Sequence, residues 1–399
     1  MKILMITPYV PYPTSSGGQI RTFNLLKYLS RKNEIVLVCL YKFDKEKQYE
    51  SFLRPYCKKI YFCRRPEKPW QIKTIFKAVF SSQPFLIVRN FSEEAKNVLQ
   101  QLFSDENFDV IHVETFYVMP HLPKTNTPIL LVEQTIEYEV YRHFVDSLPF
   151  FIRFLFLTDI VKLKYWERYY WNKADMVAAV CESDKKIITS LEGKIKPTIV
   201  PNGAGDEMIV KNLSKKKNQM PVLLFQGNFL WLQNTEAANY LVEKIYPLLE
   251  NRLDRFKLII AGQSASKKIK PLSEKNIEVI DVESKNNHLV KNLYQESTLF
   301  IAPIFGPGGT RLKILAAMAS GLPVVSTRIG VEGLDVKDGQ EVMIANSPME
   351  FVEKIGSILR DEKQYETIRS NAHRLIDRIY NWEKISKNLE VVYQKLTKK

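Results

Sequence analysis

Short, unbroken apolar runs alternate with longer amphipathic segments from one end of the chain to the other. In the first half the runs predict strands at 3–6, 35–40, 59–62, 110–113, 129–132, 176–180 and 198–200. In the second half they predict strands at 222–225, 258–261, 277–280, 299–302 and 324–326. The runs are continuous rather than alternating. Strands covered by helices on both faces have this pattern, which predicts parallel sheets in a doubly wound α/β architecture. Many runs stop at a turn-forming or small residue, as at Thr7-Pro8, Pro201-Asn202-Gly203, Gln226-Gly227, Gly262 and Pro303. In open α/β sheets ligands sit outside the carboxyl ends of the strands, so these loops are where a site is expected.

A chain of 399 residues is long enough for two such domains. We expect one over 1–210 and a second over 220–375, separated by the polar, basic stretch 211–219, with a C-terminal helix and tail over 376–399. Packing of that tail back on the first domain is one option. The four-residue spacing of Phe351, Ile355 and Leu359 predicts a helix there. No period of 20–50 residues repeats, which argues against a solenoid. With 45% hydrophobic and 26% charged residues, wholesale disorder is excluded.

Cys39, Cys57, Cys63 and Cys181 form no CxxC pair and no zinc-like cluster with histidine, so they read as reduced core thiols of a reducing compartment. The opening run is too short for a signal peptide, and nowhere do 18 apolar residues follow one another. The expected location is cytoplasmic, with peripheral attachment to the inner face of the cell membrane as an option. The net charge of +14 favours anionic partners: phosphates, nucleic acid or an anionic membrane surface. Lys215-Lys216-Lys217 is a local basic run, but no zinc-finger spacing, RNP-like strand or dense basic stripe supports a nucleic-acid partner.

Residues 149–172 interleave Phe150, Phe151, Phe154, Phe156, Tyr165, Trp166, Tyr169, Tyr170 and Trp171 with Arg153, Lys162, Lys164 and Arg168. Such a helix suits a membrane interface, where aromatic rings and snorkelling cations are both favourable. It equally suits a long helix packed over the first sheet with its cations on the wet side.

Two loops carry candidate chemistry. Gly17 and Gly18 lie between the first strand and an amphipathic helix, where backbone N–H groups can approach an anion, although a Gly-Gly pair also makes an ordinary turn. After the 299–302 strand, Gly308-Gly309-Thr310-Arg311-Leu312-Lys313 places glycines, a hydroxyl and two cations at a predicted helix start. Thr310 is the expected N-cap and Gly321 with Pro323 the stop. Fixed cations beside free N–H groups are what a diphosphate requires.

The 308–334 stretch, GGTRLKILAAMASGLPVVSTRIGVEGL, closely resembles the C-terminal domain of glycosyltransferase family 4, in the branch whose loop reads GGTRLKILEAMA. Gly17-Gly18, the strand around His112, residues 174–177, residues 200–203, and Gln226-Gly227-Asn228 through Trp231 and Asn234 resemble further pieces of the family in the same order. The resemblance covers nearly the whole chain. It implies a GT-B fold, two Rossmann-like domains facing across a cleft, with a nucleotide-sugar donor held mainly by the second. It also implies retention of anomeric configuration and no metal or other cofactor. On this resemblance Arg311 and Lys313 stabilise the departing diphosphate of a UDP- or GDP-linked sugar. Gly18, Gly227, Asn228, Gly262, Gly308, Gly309, Thr310 and Glu332 contribute to the donor site, and the base is expected against the loops after Gly262 and Ile280. Gly17, His112 and Gln134 lie on the acceptor side, with Glu137 orienting the hydroxyl of a glycan or lipid-linked acceptor.

The chain also departs from the family. Two glutamates that bracket seven residues in related chains align with Gly308 and Ala316, and the second typically holds the ribose. The usual Arg and Lys near the start of the second domain align with Asn228 and Gln233, and a usual His with Gln134. An inactive or partner-dependent protein therefore stands beside the transferase reading, and a nucleotide-sugar epimerase, with similar loop chemistry, is a further alternative.

Overall fold

A computed structural model describes residues 1–68, 71–213, 220–269, 276–283 and 286–398. The chain divides into two compact units, Met1–Pro201 with Ile385–Lys399, and Asn202–Lys384. The first crossing precedes the expected 211–219 stretch because the residues after Pro201 already belong to the second unit. Ala204 and Met208 sit in its core, the Ala204 N–H donates to Tyr380 O (2.9 Å) and the Val210 N–H to Ala319 O (3.1 Å). Residues 214–219, with the Lys215-Lys216-Lys217 run, lie outside the described residues. The second crossing falls at Lys384/Ile385 rather than after 375, because Leu375, Ile376 and Tyr380 are still part of the second core.

The first unit contains β1 (Lys2–Thr7), β2 (Glu34–Tyr41), β3 (Lys59–Arg64), β4 (Val110–Glu114), β5 (Ile129–Glu133), β6 (Met176–Ala179) and β7 (Thr198–Ile199). They form one sheet in the order β3-β2-β1-β4-β5-β6-β7, paired in parallel throughout. The second unit contains β8 (Val222–Gln226), β9 (Lys257–Gly262), β10 (Ile277–Asp281), β11 (Leu299–Ala302), β12 (Val324–Ser326) and β13 (Met343–Ile344), ordered β10-β9-β8-β11-β12-β13 and again parallel. All twelve predicted strands are present, and among the described residues only the two-residue β13 was not foreseen.

The unbroken apolar runs have the burial expected of strands covered on both faces: Ile35 to Leu40 are at most 1% exposed and Ile3, Leu4 and Met5 are fully enclosed. Enclosing one such side chain is worth about 1.5–3 kcal/mol, so shifting any of these runs out of its layer is strongly opposed. In each sheet the strand order reverses once, between β1 and β4 and between β8 and β11. A crevice opens at the carboxyl ends of the strands at such switch points. The helix Gly17–Leu29 follows β1, and the helix Leu312–Ala319 follows the loop after β11, so both glycine loops lie at the switch points. The four cysteines are free.

Candidate functional site

In the second unit, Gly308 (φ +137°) and Gly309 (φ +54°) take backbone conformations that side chains disfavour, which bends the loop after β11 back toward β8. A Cβ at Gly308 would come within 2.7 Å of Arg311 Nη1. The Arg311 guanidinium lies over this bend, donating from Nη1 to Gly308 O and from Nη2 to Gly306 O (2.5 Å). The helix begins at Leu312, so Arg311 rather than Thr310 occupies the N-cap position, and no side chain caps the first turn. Thr310 is instead buried, and its hydroxyl has no hydrogen-bond partner. Free N–H groups at a helix start, an unsatisfied hydroxyl and a guanidinium thus converge on one loop, an arrangement suited to an anion.

Lys313, the second residue of the helix, points toward β8. Its ammonium donates to Asn234 Oδ1 and lies 5.0 Å from the centre of the Phe225 ring. Burial first, and the nearby charge of Arg311 second, lower its pKa to about 7. Gly227 makes room for this pair, since a Cβ there would meet both Lys313 Nζ and Asn234 Cγ at 3.0 Å. Gly262 (φ +154°) is tighter still, because its Cβ would fall 1.7 Å from Gly227 O. Asn228 donates to Gln263 Oε1 (2.9 Å) and Gln233 to Pro307 O (3.4 Å), so both residues that stand in for family cations tie down the site's loops. Glu332 is exposed on the loop after β12. Ala316 presents only a methyl group on the helix. The expected base-contacting stretches run into residues 270–275 and 284–285, which lie outside the described residues.

The structure thus brings together Gly227, Asn228, Gly262, Gly308, Gly309, Thr310, Arg311 and Lys313 at one switch point. Gly18, placed with the donor site by its sequence, belongs to the other unit. It opens the helix Gly17–Leu29 and is required there by Tyr9, whose phenol oxygen would lie 2.4 Å from a Cβ.

Behind that loop is a buried polar network. Arg21 and Glu114 are 0% exposed and form an ion pair at 3.1 Å, and Arg21 also donates to the carbonyls of Val200 and Pro201, both at 3.1 Å. His112 bonds Glu114 through Nε2 (2.9 Å) and the Tyr393 hydroxyl through Nδ1 (2.5 Å). Gln134 donates to Glu114 Oε2 (2.6 Å) and to the Tyr9 hydroxyl (2.8 Å). Burial alone would raise the Glu114 pKa, but the Arg21 charge and the bonds from His112 and Gln134 bring it down to about 2. His112 is fully enclosed, and Gln134 holds a buried carboxylate. Arg21, fully enclosed, needs a counter-charge, and Glu114, which supplies it, holds both side chains by hydrogen bonds.

Glu137 starts the helix Glu137–Asp146, and burial pushes its carboxyl up to about 7 against the opposing charge of Arg89. The N–H groups of Glu137 and Tyr138 donate to Glu167 (2.8 and 3.2 Å), while Glu133 accepts from Trp171 Nε1 (2.9 Å). Burial raises both of these carboxyls well above the usual range. Sequence reading missed Arg21, Glu133 and Glu167, and periodicity gave no signal for them, since each looks like an ordinary polar helix or strand-end residue.

Residues 149–172 form most of the helix Phe150–Lys173. Its second half packs down through Leu163, Glu167, Tyr170 and Trp171, while Phe150, Phe151, Phe154, Leu155, Leu157, Val161 and Tyr165 are more than half exposed. A second helix, Ile72–Phe80, buries only Thr74 and Ala78 and exposes Ile72, Phe76, Val79 and Phe80. Lys162 joins the two by donating to the carbonyls of Ala78 (2.9 Å) and Ser81 (2.7 Å). The helix therefore packs on the first unit through one face of its second half, and its first half leaves most of its aromatic and aliphatic side chains exposed. Among the described residues no helix is long and apolar enough to cross a membrane.

Residues 15–207 match the model of Glycosyltransferase Family 4, and residues 220–361 match that of the group 1 glycosyl transferases. An uncharacterized 44.6 kDa protein in the cps region of Klebsiella pneumoniae is 24% identical over 96% of this chain and 97% of its own length. An uncharacterized glycosyltransferase of Methanocaldococcus jannaschii is also 24% identical, over 100% of this chain and 99% of its own. Among solved structures, HepE of Anabaena in complex with UDP-glucose superposes with a TM-score of 0.66 at 14% identity, covering 99% of this chain and 100% of its own. That likeness extends over both doubly wound sheets and shows the fold. With family models matched on both sides of the division between the units, the chain belongs to glycosyltransferase family 4 and is a nucleotide-sugar glycosyltransferase.

Proposed function

We propose that the enzyme transfers a sugar from a UDP-linked donor, with retention and without a metal, onto a glycan or lipid-linked acceptor in cell-surface polysaccharide synthesis. One observation carries the donor site: Arg311, Lys313 and the Gly308-Gly309 bend converge at the start of a helix at the switch point of the second sheet. The two cations and the free N–H groups of the first turn neutralise the diphosphate as the glycosidic bond breaks, which is the largest charge change in the reaction. A uracil base and a polysaccharide product are supported by HepE, solved with UDP-glucose, and by the relative from a cps region. Glu137 orients the acceptor hydroxyl. Its pKa of about 7 lets it accept that proton near neutrality. The paired apolar faces of Phe150–Lys173 and Ile72–Phe80, flanked by Lys73, Lys77 and Arg153, hold the enzyme on the cytoplasmic face of an anionic membrane.

The test is thermal stabilisation by UDP, GDP, ADP and their sugar conjugates, in the wild type and in Arg311→Ala/Lys313→Ala. Stabilisation by the uridine compounds, lost in the double variant, is expected. A response that survives in the double variant places the diphosphate elsewhere, and no response to any nucleotide refutes the donor site.

A further inference from the structure

A second group of cations lies in the first unit, and it includes Arg89, whose charge Glu137 feels. Lys42 directly follows β2 and Arg65 directly follows β3. These strands pair in parallel with Tyr41 opposite Arg64, and the Arg65 N–H donates to Tyr41 O (2.9 Å). The two cations therefore emerge side by side from the carboxyl edge of the sheet, where ligands of such sheets lie. Arg65 Nη1 donates to the amide oxygen of Asn90, which brings in Arg89, the residue before it on the helix Phe85–Asn90.

Three positive groups gathered this way repel one another, and the crowding shows. Burial and the charges of Arg65 and Arg89 lower the Lys42 pKa, and burial with Arg89 lowers that of Arg65. Among the described residues no carboxylate forms an ion pair with any of the three. Glu46 accepts the backbone N–H groups of Lys42 (2.6 Å) and Phe43 (3.2 Å). Arg65 Nε is enclosed and has no hydrogen-bond partner at all. A half-buried guanidinium with an enclosed, unused donor beside two further cations is costly unless an anion completes it. The planar fork of Arg and the point charge of Lys together fit phosphoryl oxygens.

We infer that Lys42, Arg65 and Arg89 bind a phosphoryl group carried by the acceptor. The inference rests on the transferase reading and narrows its acceptor class. Glu137, which feels the charge of Arg89, adjoins the cluster, so the phosphoryl group anchors the acceptor while Glu137 meets its hydroxyl. The Tyr117 phenol feels Glu137, Arg65 and Arg89 together, which puts all four groups in one neighbourhood. The phosphoryl group has two sources, a soluble glycosyl phosphate or a lipid-linked phosphate.

The experiment is calorimetric titration of inorganic pyrophosphate into the full-length protein already saturated with UDP, so that the donor loop is occupied. Binding is expected, weakened about tenfold in each of Lys42→Gln, Arg65→Gln and Arg89→Gln, with the UDP response unchanged. Lys42 is only half-buried, so Lys42→Gln reports even if a variant at the more enclosed Arg65 fails to fold. Phosphatidylcholine vesicles with and without a polyprenyl diphosphate distinguish the sources: Lys42-dependent recruitment only to the doped vesicles assigns the lipid, and pyrophosphate binding without such recruitment assigns the soluble compound. No pyrophosphate binding to the UDP-saturated wild type, or binding undiminished in the folded variants, overturns the inference. A missing UDP response with intact, Lys42-dependent pyrophosphate binding would instead count against the donor assignment alone.

Discussion

Replacing Lys313 by methionine keeps the aliphatic stem and removes the amine from a site where burial and Arg311 hold its pKa at about 7 instead of 10.5. Because the folded-state pKa is the lower one, the unfolded chain binds more protons than the folded chain between pH 7 and 10.5. Wild-type stability therefore rises with pH across that window, by about 1.4 kcal/mol per unit, and the full penalty of about 5 kcal/mol is present below it. The hydrogen bond to Asn234 offsets about 1 kcal/mol of the gain on substitution. Lys313→Met should accordingly be more stable than wild type at pH 7, with the difference shrinking by about 1.4 kcal/mol for each pH unit above it. Urea unfolding of the full chain at several pH values measures this. A difference that does not change with pH, or a variant less stable than wild type at pH 7, would refute the reasoning. On the proposed donor site the same amine links stability to function, because a diphosphate bound there would recharge it. UDP binding at pH 7 should take up about half a proton, read by calorimetry in buffers of different ionisation enthalpy, and Lys313→Met should abolish that uptake.

Gly262→Ala forces a Cβ to within 1.7 Å of Gly227 O at a disfavoured φ, and should cost about 3 kcal/mol or more in a denaturant series while weakening the nucleotide response. Arg21→Met strips Glu114 of its buried counter-charge and should cost about 3–5 kcal/mol at pH 7. Since the Glu114 pKa is held at about 2 rather than 4.5, its contribution is present above pH 4.5 and lost as pH falls toward 2, so the gap between variant and wild type should narrow in acid. Glu137→Gln should remove a rising limb near pH 7 from kcat/KM for transfer without altering UDP binding, and an unchanged pH profile would exclude Glu137 from contact with the acceptor. Phe76→Asp with Phe154→Asp should lose about 2 kcal/mol of membrane affinity per aromatic, measured by co-sedimentation with anionic vesicles, whereas undiminished binding would place the membrane contact elsewhere.

Local patterning determined the two parallel α/β units, because a strand buried on both faces must be apolar at every position, and that signal needs no knowledge of its neighbours. It also located the loop of the proposed donor site, since a glycine pair and cations after such a strand lead into a helix at the ligand edge. Strand β13 escaped notice because two residues, Met343 and Ile344, are too few to form a pattern. The cap moved from Thr310 to Arg311 because the two glycine conformations before it set where helical geometry begins. The division after Pro201 was hidden for a different reason. Residues 202–210 have the composition of a linker and are claimed by the second unit only through contacts with distant segments such as Ala319 and Tyr380. Distance along the chain likewise concealed the roles of polar residues. Arg21 lies 93 residues from Glu114, and His112 lies 281 residues from Tyr393. Lys42, Arg65 and Arg89 each look like solvated surface cations in the sequence. Only the parallel pairing of β2 with β3 and the bond from Arg65 to Asn90 gather them at one edge. A buried charge is defined by what surrounds it, and only the tertiary structure decides those surroundings.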